Sequence, residues 1–207
     1  MIIDFKQFPS GKQYACIRDG KSCVFLRNIA FLVHPKDASR IVTVREWGAG
    51  TDLHTWEPPK GQMEWKEFAA AGFRPKQAIT AEQLLGVARE GLLREMEEEA
   101  KILPREIQGL RPLPLSYNQP FEGTAGADFR YQFWMGVVTP AAMAAAKKRM
   151  ARLVGNPDVM TEVAADKREK DAVDWWKPTS AAAWSRIRGG FSLTMTQMYY
   201  NLYHHKK

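Results

Sequence analysis

Cysteine is scarce in this chain of 207 residues, which contains only Cys16 and Cys23. Two cysteines exclude a disulfide-rich miniprotein, and a zinc site would need more cysteine or histidine at ligand spacing. We therefore predict two reduced thiols without a special role. Long apolar runs are also missing, since no segment approaches the ~18 consecutive apolar residues of a membrane span. The amino terminus has no basic region followed by an apolar core, so we predict a cytoplasmic protein.

Acidic residues are outnumbered by basic ones. The chain has 30 Lys and Arg against 23 Asp and Glu, a net charge of +7. A basic balance makes polyanions such as nucleotides or RNA plausible partners. Basic residues concentrate late in the chain, at 147–152 and at Arg186, Arg188, Lys206 and Lys207. These basic residues either form a solvated surface or bind the phosphates of a nucleic acid chain, and the sequence does not decide between the two interpretations.

Strand-like and helix-like segments alternate along the chain. The patterns predict a hairpin over about 13–27 that turns at Asp19-Gly20, strands at 28–34, 40–47, 110–115, 129–138 and 173–176, and helices at 81–102, 141–154 and about 180–205. Strands, a helix, more strands and another helix favour an α+β fold over a series of βαβ units. The length is consistent with a single domain over 1–207.

The helix predicted over 81–102 has clear end signals. Thr80 is a good N-cap, and Gln83 three residues later completes a capping box. Pro104 prevents the helix from continuing far beyond residue 102. Its predicted core stripe consists of Leu85, Leu92, Leu93, Met96 and Ala100.

Three glutamates of this helix share one face. At 100° per residue, Glu95, Glu98 and Glu99 lie within about 100° of each other on the helix surface. Arg94 lies beside Glu98, where an i,i+4 pair would hold that carboxylate. Clustered carboxylates repel unless a cation neutralises them, and oxygen ligands of this kind suit Mg²⁺ or Mn²⁺. The alternative is a solvated acidic face.

The residues around this helix resemble the Nudix box, G-x5-E-x7-R-E-U-x-E-E-x-G-U, where U is apolar. The matching positions are Gly61, Glu67, Arg94, Glu95, Met96, Glu98, Glu99 and Ile102. Two departures stand out. Residues 68–93 make 26 between Glu67 and Arg94 where the motif has 7, so 19 are inserted, at about 68–86. Lys101 replaces the glycine near the helix end, where a left-handed residue is usual.

The resemblance implies a Nudix α/β/α sandwich with a mixed central sheet and a catalytic strand-loop-helix. It implies that Glu98 and Glu99 bind a divalent cation, with Glu95 as a further ligand or as the base. The carbonyl of Gly61 would add an oxygen ligand, and Arg94 would orient the glutamates.

A further acid is expected from a later loop, because many Nudix enzymes recruit one there. The candidates are Glu122, Asp128, Glu169 and Asp171, of which we favour Glu169 as a metal ligand. Substrate contacts are assigned to Lys60, before Gly61, and to three aromatic residues that could stack on a base, Trp56, Phe121 and Tyr131. The alternative for each aromatic residue is a place in the core.

The expected function is cleavage of a diphosphate linkage in nucleoside diphosphate derivatives with Mg²⁺ or Mn²⁺. The net positive charge and the segment Pro59-Lys60-Gly61 slightly favour capped RNA as the substrate, and hence mRNA decapping as the function. The alternative substrates are dinucleoside polyphosphates, nucleotide sugars and diphosphoinositol polyphosphates. A second hypothesis is a Nudix-fold module that binds RNA or nucleotides without hydrolysis. A third, an isoprenoid diphosphate isomerase, would need a catalytic cysteine, for which neither Cys16 nor Cys23 has an evident place.

Overall fold

The structure is a computed structural model that describes residues 1–20, 22–50, 54–120, 127–156 and 169–204. Its contacts divide the chain into two compact units. The first contains residues Met1–Ile29, Lys60–Arg94 and Pro112–Trp134, and the second contains Ala30–Pro59, Glu95–Arg111 and Met135–Lys207. None of the described helices has the length and apolar character that a membrane crossing requires.

Ten strands and five α-helices are found in the described residues. The strands are β1 (Ile2–Gln7), β2 (Gln13–Asp19), β3 (Ser22–His34), β4 (Asp37–Glu46), β5 (Trp56–Glu57), β6 (Lys60–Gln62), β7 (Gln77–Ala78), β8 (Ile107–Pro120), β9 (Ala127–Val138) and β10 (Lys170–Trp176). The helices are α1 (Trp65–Ala70), α2 (Ala81–Ala100), α3 (Pro140–Val154), α4 (Ala181–Trp184) and α5 (Phe191–Tyr203). This mixture of strands and helices confirms the predicted α+β class.

The first unit is built on the predicted amino-terminal hairpin. β2 and β3 pair antiparallel through a turn at Asp19-Gly20, and Gly20 has a φ of 59°, which glycine adopts without a steric penalty. β1 pairs with β2 on one side and with the short β7 on the other. β6 pairs with β3, so that Gly61 lies opposite Asn28.

The hairpin corrects the prediction of two reduced thiols, because Cys16 and Cys23 form a disulfide. Cys16 lies opposite Phe25, and Cys23 lies opposite Arg18. This register brings the two cysteine Cα atoms to 5.7 Å, within the usual span of a disulfide. Seven residues of sequence separation did not reveal the pairing, because it depends on where the strands turn.

The second unit packs β4 between β10 and the later half of β3, all antiparallel. β5 also pairs with β4, which places Glu57 opposite Val44. Helix α5 covers part of this core: Tyr199 stacks on Phe31 with ring centroids 4.0 Å apart. These contacts fix β5 and β10, the two strands that carry buried charges in this unit.

Helix α2 has the predicted start and the predicted buried face. The Thr80 hydroxyl accepts from the Gln83 amide at 3.1 Å, and the Gln83 side chain accepts from the Thr80 amide at 3.0 Å. Leu92, Met96 and Ala100 are fully buried. The helix ends at Ala100, two residues before the predicted boundary.

Lys101 ends the helix in the conformation that a glycine normally supplies, with a φ of 56°. A non-glycine residue there costs about 1–2 kcal/mol. We therefore expect the free energy of unfolding, measured by urea titration, to be about 1 kcal/mol higher for Lys101→Gly than for Lys101→Ala. Both variants lose the bond from the Lys101 ammonium to the Glu98 carbonyl, so their difference isolates the backbone. Equal stabilities would show that the backbone is not strained.

Candidate active site

Glu67 and Arg94, which lie on either side of the insertion, form an ion pair in the first unit. The Arg94 guanidinium donates to Glu67 Oε1 from Nη2 at 2.7 Å and from Nε at 3.2 Å. The Glu67 side chain is 9% exposed. These bonds join Arg94 to Glu67, and the pair of Arg94 with Glu98 that the sequence predicts stays a prediction. The inserted residues fold into the end of α1, the connection through β7 and the start of α2, and the two motif residues remain in contact.

Gly91 allows this contact. A Cβ atom at Gly91 would lie 2.6 Å from Glu67 Oε2, closer than two such atoms can approach. Any larger side chain would displace the carboxylate that Arg94 binds. Sequence reasoning did not single out Gly91, because a glycine inside a helix gives no indication of the distant residue that passes over it.

Burial raises the pKa of the Glu67 carboxyl above its usual value, against the opposing effect of Arg94. Above the usual pKa of 4.5, the folded chain therefore binds more protons at Glu67 than the unfolded chain does. The contribution of Glu67 to stability consequently falls as the pH rises through its folded pKa.

The variant Glu67→Gln removes this titration. We expect the unfolding free energy of the variant, relative to the unmodified protein, to increase as the pH rises from 4.5, the usual pKa, through the raised pKa of Glu67. The measurement is urea unfolding across that range, with the exposed Glu90→Gln as the control. A difference that does not change with pH would contradict the assignment.

A cavity of about 650 Å³ opens beside the Glu67–Arg94 pair. Its walls come from α1, from the following turn at Phe73 and from α2 at Gln83, Val87 and Glu90. The volume lies within the range of small-molecule sites. The insertion therefore supplies part of the wall of this cavity.

Asn28 on β3 lies opposite β6 and binds α2 through its side chain. It lies opposite Gly61 in the β3–β6 pairing, and its side chain donates to the Ala88 carbonyl at 3.2 Å. The buried Trp134 indole donates to Asn28 Oδ1 at 2.9 Å. Lys60 is half-buried on β6, opposite Ile29. Gly61 and Lys60, two sequence candidates, thus lie on a strand that pairs with β3 at the buried Asn28, a residue that the sequence analysis missed.

The carboxylates of α2 in the second unit differ in exposure. Glu95 and Glu98 are half-buried, Glu99 is buried, and Glu97 is exposed. Within the described ranges, no three Asp, Glu, His or Cys side chains form a group arranged to hold a metal ion. The half-buried carboxylates of Glu95 and Glu98 nevertheless offer the oxygen donors that Mg²⁺ and Mn²⁺ prefer.

Glu99 belongs to a buried ionic cluster. Lys170 Nζ lies 2.7 Å from Glu57 Oε1 and 3.5 Å from Glu99 Oε1. The side chains of Lys170, Glu57 and Glu99 are 6%, 1% and 6% exposed. Ser192 donates its hydroxyl to Glu57 Oε2 at 2.8 Å, and the Arg188 guanidinium approaches Glu57 at 3.8 Å.

Lys170 is charged in this cluster. Burial opposes the charged form, but the carboxylates of Glu99 and Glu57 outweigh it and raise the pKa of Lys170 above its usual value. The sequence analysis named neither Lys170 nor Glu57. Their contact joins residues 113 positions apart, and a lysine next to Glu169 gives no sign of burial.

The late acidic candidates lie in different surroundings. Glu169 is exposed, and its backbone carbonyl accepts from the Trp47 amide at 2.9 Å. Asp171 accepts from Arg45 Nε at 2.7 Å and from the Gly48 amide at 3.0 Å, while Asp128 is exposed. Glu122 and the candidate Phe121 lie outside the described residues. Glu169 and Asp171 both flank Lys170 in sequence, and of the two only Glu169 is exposed.

Two aromatic candidates occupy contrasting positions. Tyr131 is fully buried, and its hydroxyl accepts from Arg27 at 2.7 Å. Trp56 is half-buried, with the guanidinium carbons of Arg186 and Arg45 at 5.0 and 5.8 Å from its ring centroid. Tyr131 therefore has the core position that was the alternative to base stacking, whereas Trp56 keeps part of its surface exposed.

Part of the basic stretch on α3 is used inside the second unit. Lys147 pairs with Asp174 at 2.6 Å. Arg149 pairs with Glu106 and donates to the Lys101 carbonyl at 2.7 Å. Lys148 and Arg152 are exposed on the same helix, and the terminal lysines 206 and 207 lie outside the described residues.

No family model and no curated protein matches the chain. Solved structures similar to it include the NUDIX domain of Shewanella oneidensis NrtR complexed with ADP ribose, at 12% identity, covering 89% of this chain and 93% of that one, with a TM-score of 0.45. The solution structure of the E. coli ORF135 protein has 12% identity, coverage of 92% and 100%, and a TM-score of 0.45. A C. elegans Ap4A hydrolase binary complex has 14% identity, coverage of 86% and 98%, and a TM-score of 0.41.

Proposed function

We propose that this chain is a Nudix-type pyrophosphohydrolase that uses Mg²⁺ or Mn²⁺ to cleave a diphosphate linkage in nucleoside diphosphate derivatives. The observation that carries the proposal is the contact between Glu67 and Arg94. The motif places these residues on either side of its loop, and here they bind each other at 2.7 Å although 26 residues, 68–93, separate them. If the match to the motif were accidental and the glutamates of α2 were only a solvated face, a contact between Glu67 and Arg94 would not be expected.

The carboxylates of Glu95 and Glu98 have the chemistry that the reaction needs. Both are half-buried on α2, directly after Arg94. A divalent cation bound by their oxygens would supply neutralisation of the phosphate charge and a lower pKa for an attacking water. Glu98 or Glu95 would accept the proton of that water as the general base. A phosphorus–oxygen bond of the bridge breaks as the water oxygen bonds to phosphorus, which leaves phosphomonoester products.

The substrate contacts that we propose are the Lys60 ammonium and the exposed part of the Trp56 ring. Lys60 precedes Gly61 on β6 and is half-buried there. Glu169 remains our proposal for an additional acid, because its side chain is exposed at the start of β10. Capped RNA remains a candidate within the substrate class. The pairing of Lys147 and Arg149 within the second unit leaves fewer cations on α3 for an RNA chain.

A panel of substrates tests the proposal. Capped RNA, Ap4A, ADP-ribose and other nucleotide sugars, nucleoside triphosphates and diphosphoinositol phosphates are incubated with Mg²⁺ or Mn²⁺, and released products are measured. We expect turnover of one class that is abolished by EDTA and by Glu98→Gln. Binding of RNA or nucleotide without turnover of any compound would instead identify a binding module. If capped RNA is the substrate, its binding should weaken steeply with salt, whereas that of small nucleotides should not.

A further inference from the structure

The buried Lys170 stands out because its two carboxylate partners come from different parts of the second unit. Glu57 lies on β5 and Glu99 lies on α2, while Lys170 begins β10. One ammonium group therefore links the acidic helix to two strands, at 2.7 Å from Glu57 and 3.5 Å from Glu99. The sequence motif predicted a divalent cation for Glu99, and the structure places a side-chain cation there.

The surroundings of the cluster favour a cation beside the two carboxylates. Glu57 and Glu99 are almost completely removed from water, and two buried carboxylates without a nearby positive charge are strongly unfavourable. Arg188 is 43% exposed and reaches Glu57 only at 3.8 Å, and Ser192 is neutral. Lys170 therefore lies within 3.5 Å of both carboxylates, closer to Glu57 than Arg188 does.

We propose that Lys170 is a positioning residue whose ammonium group replaces a divalent cation at Glu57 and Glu99. In this arrangement the Glu99 carboxylate is held in place by Lys170 without metal. Divalent cations then bind at Glu95 and Glu98. The unmodified chain binds one divalent cation fewer than it would bind without the Lys170 ammonium group. The inference deepens the proposed function, because it concerns the cations of the same helix.

Counting bound Mn²⁺ tests the proposal. The full chain and its variant Lys170→Met are titrated with Mn²⁺, and free Mn²⁺ is measured by electron paramagnetic resonance. We expect Lys170→Met to bind one more Mn²⁺ per chain than the unmodified protein. We also expect Mn²⁺ to raise the melting temperature of the variant by roughly 5 °C or more beyond its effect on the unmodified protein. Lys177→Met, which removes an exposed lysine paired with Asp37, is the matched control and should change neither value.

Each outcome decides the proposal. An equal Mn²⁺ count in Lys170→Met and the unmodified protein would overturn it. If Lys170→Met folds only when Mn²⁺ is present, the cation replaces the ammonium as proposed, and if it stays unfolded with Mn²⁺ the proposal is wrong. A third outcome is that the unmodified protein binds no Mn²⁺ and Lys170→Met binds one. This result would support the replacement of a divalent cation by Lys170, but it would contradict the proposed metal-dependent hydrolysis.

Discussion

Replacing Lys170 by methionine is expected to lower the free energy of unfolding by about 3–5 kcal/mol in the absence of divalent cations. Methionine keeps most of the side-chain volume but removes the charge that neutralises Glu57 and Glu99. The two carboxylates, at most 6% exposed, would then lie close to each other without their shared cation. Urea unfolding in EDTA measures the loss.

Two further variants show whether charge is the cause. The exposed Lys177→Met should change the unfolding free energy by no more than about 1 kcal/mol, as is usual for a surface ion pair. The double variant Lys170→Met with Glu57→Gln should recover part of the stability that Lys170→Met loses, because one buried negative charge is removed as well. A loss under about 1 kcal/mol for Lys170→Met, or additive losses in the double variant, would contradict an essential buried cation.

The second large effect is expected for catalysis. Glu98→Gln should reduce turnover of the preferred substrate by about 10²- to 10⁴-fold, because glutamine keeps the shape but cannot accept the proton of the attacking water. The variant should retain the melting temperature of the unmodified protein, since Glu98 is half-buried rather than part of the core.

Glu97→Gln is the matched control for this experiment. Glu97 is the immediate neighbour of Glu98 on α2 and is exposed. It should keep full activity, and Glu95→Gln should resemble Glu98→Gln. Equal losses in Glu97→Gln and Glu98→Gln would indicate a general electrostatic effect of the helix and would contradict specific roles for Glu95 and Glu98.

Local signals predicted the amino-terminal hairpin and the start of α2, whereas the single helix predicted at about 180–205 is wrong, because α4 (Ala181–Trp184) and α5 (Phe191–Tyr203) are separate. The capping box of Thr80 and Gln83, the apolar spacing of α2 and the turn at Asp19-Gly20 each depend on residues within a few positions of one another. Such features are set by backbone hydrogen bonds and helical periodicity, which the sequence displays directly. Lys101 is an informative case, since its departure from glycine was visible, but its positive φ required the structure.

Long-range contacts decided the parts that could not be predicted. Arg94 binds Glu67, 27 positions away, and Lys170 binds Glu57, 113 positions away. No periodic pattern in the sequence indicates either contact, because each pair depends on how separate helices and strands pack together. The resemblance in motif predicts roles for Glu95, Glu98 and Glu99, but it could not show that Lys170 lies beside Glu99.

The most direct test of the proposed function is hydrolysis in H₂¹⁸O followed by ³¹P NMR of the products. For the substrate that the panel identifies, we expect one ¹⁸O atom in a phosphomonoester product with the unmodified protein and Mg²⁺. Glu98→Gln should give almost no labelled product in the same time, and Glu97→Gln should match the unmodified protein. Unlabelled products, or equal labelling by Glu98→Gln, would contradict attack by water at phosphorus under the control of this carboxylate.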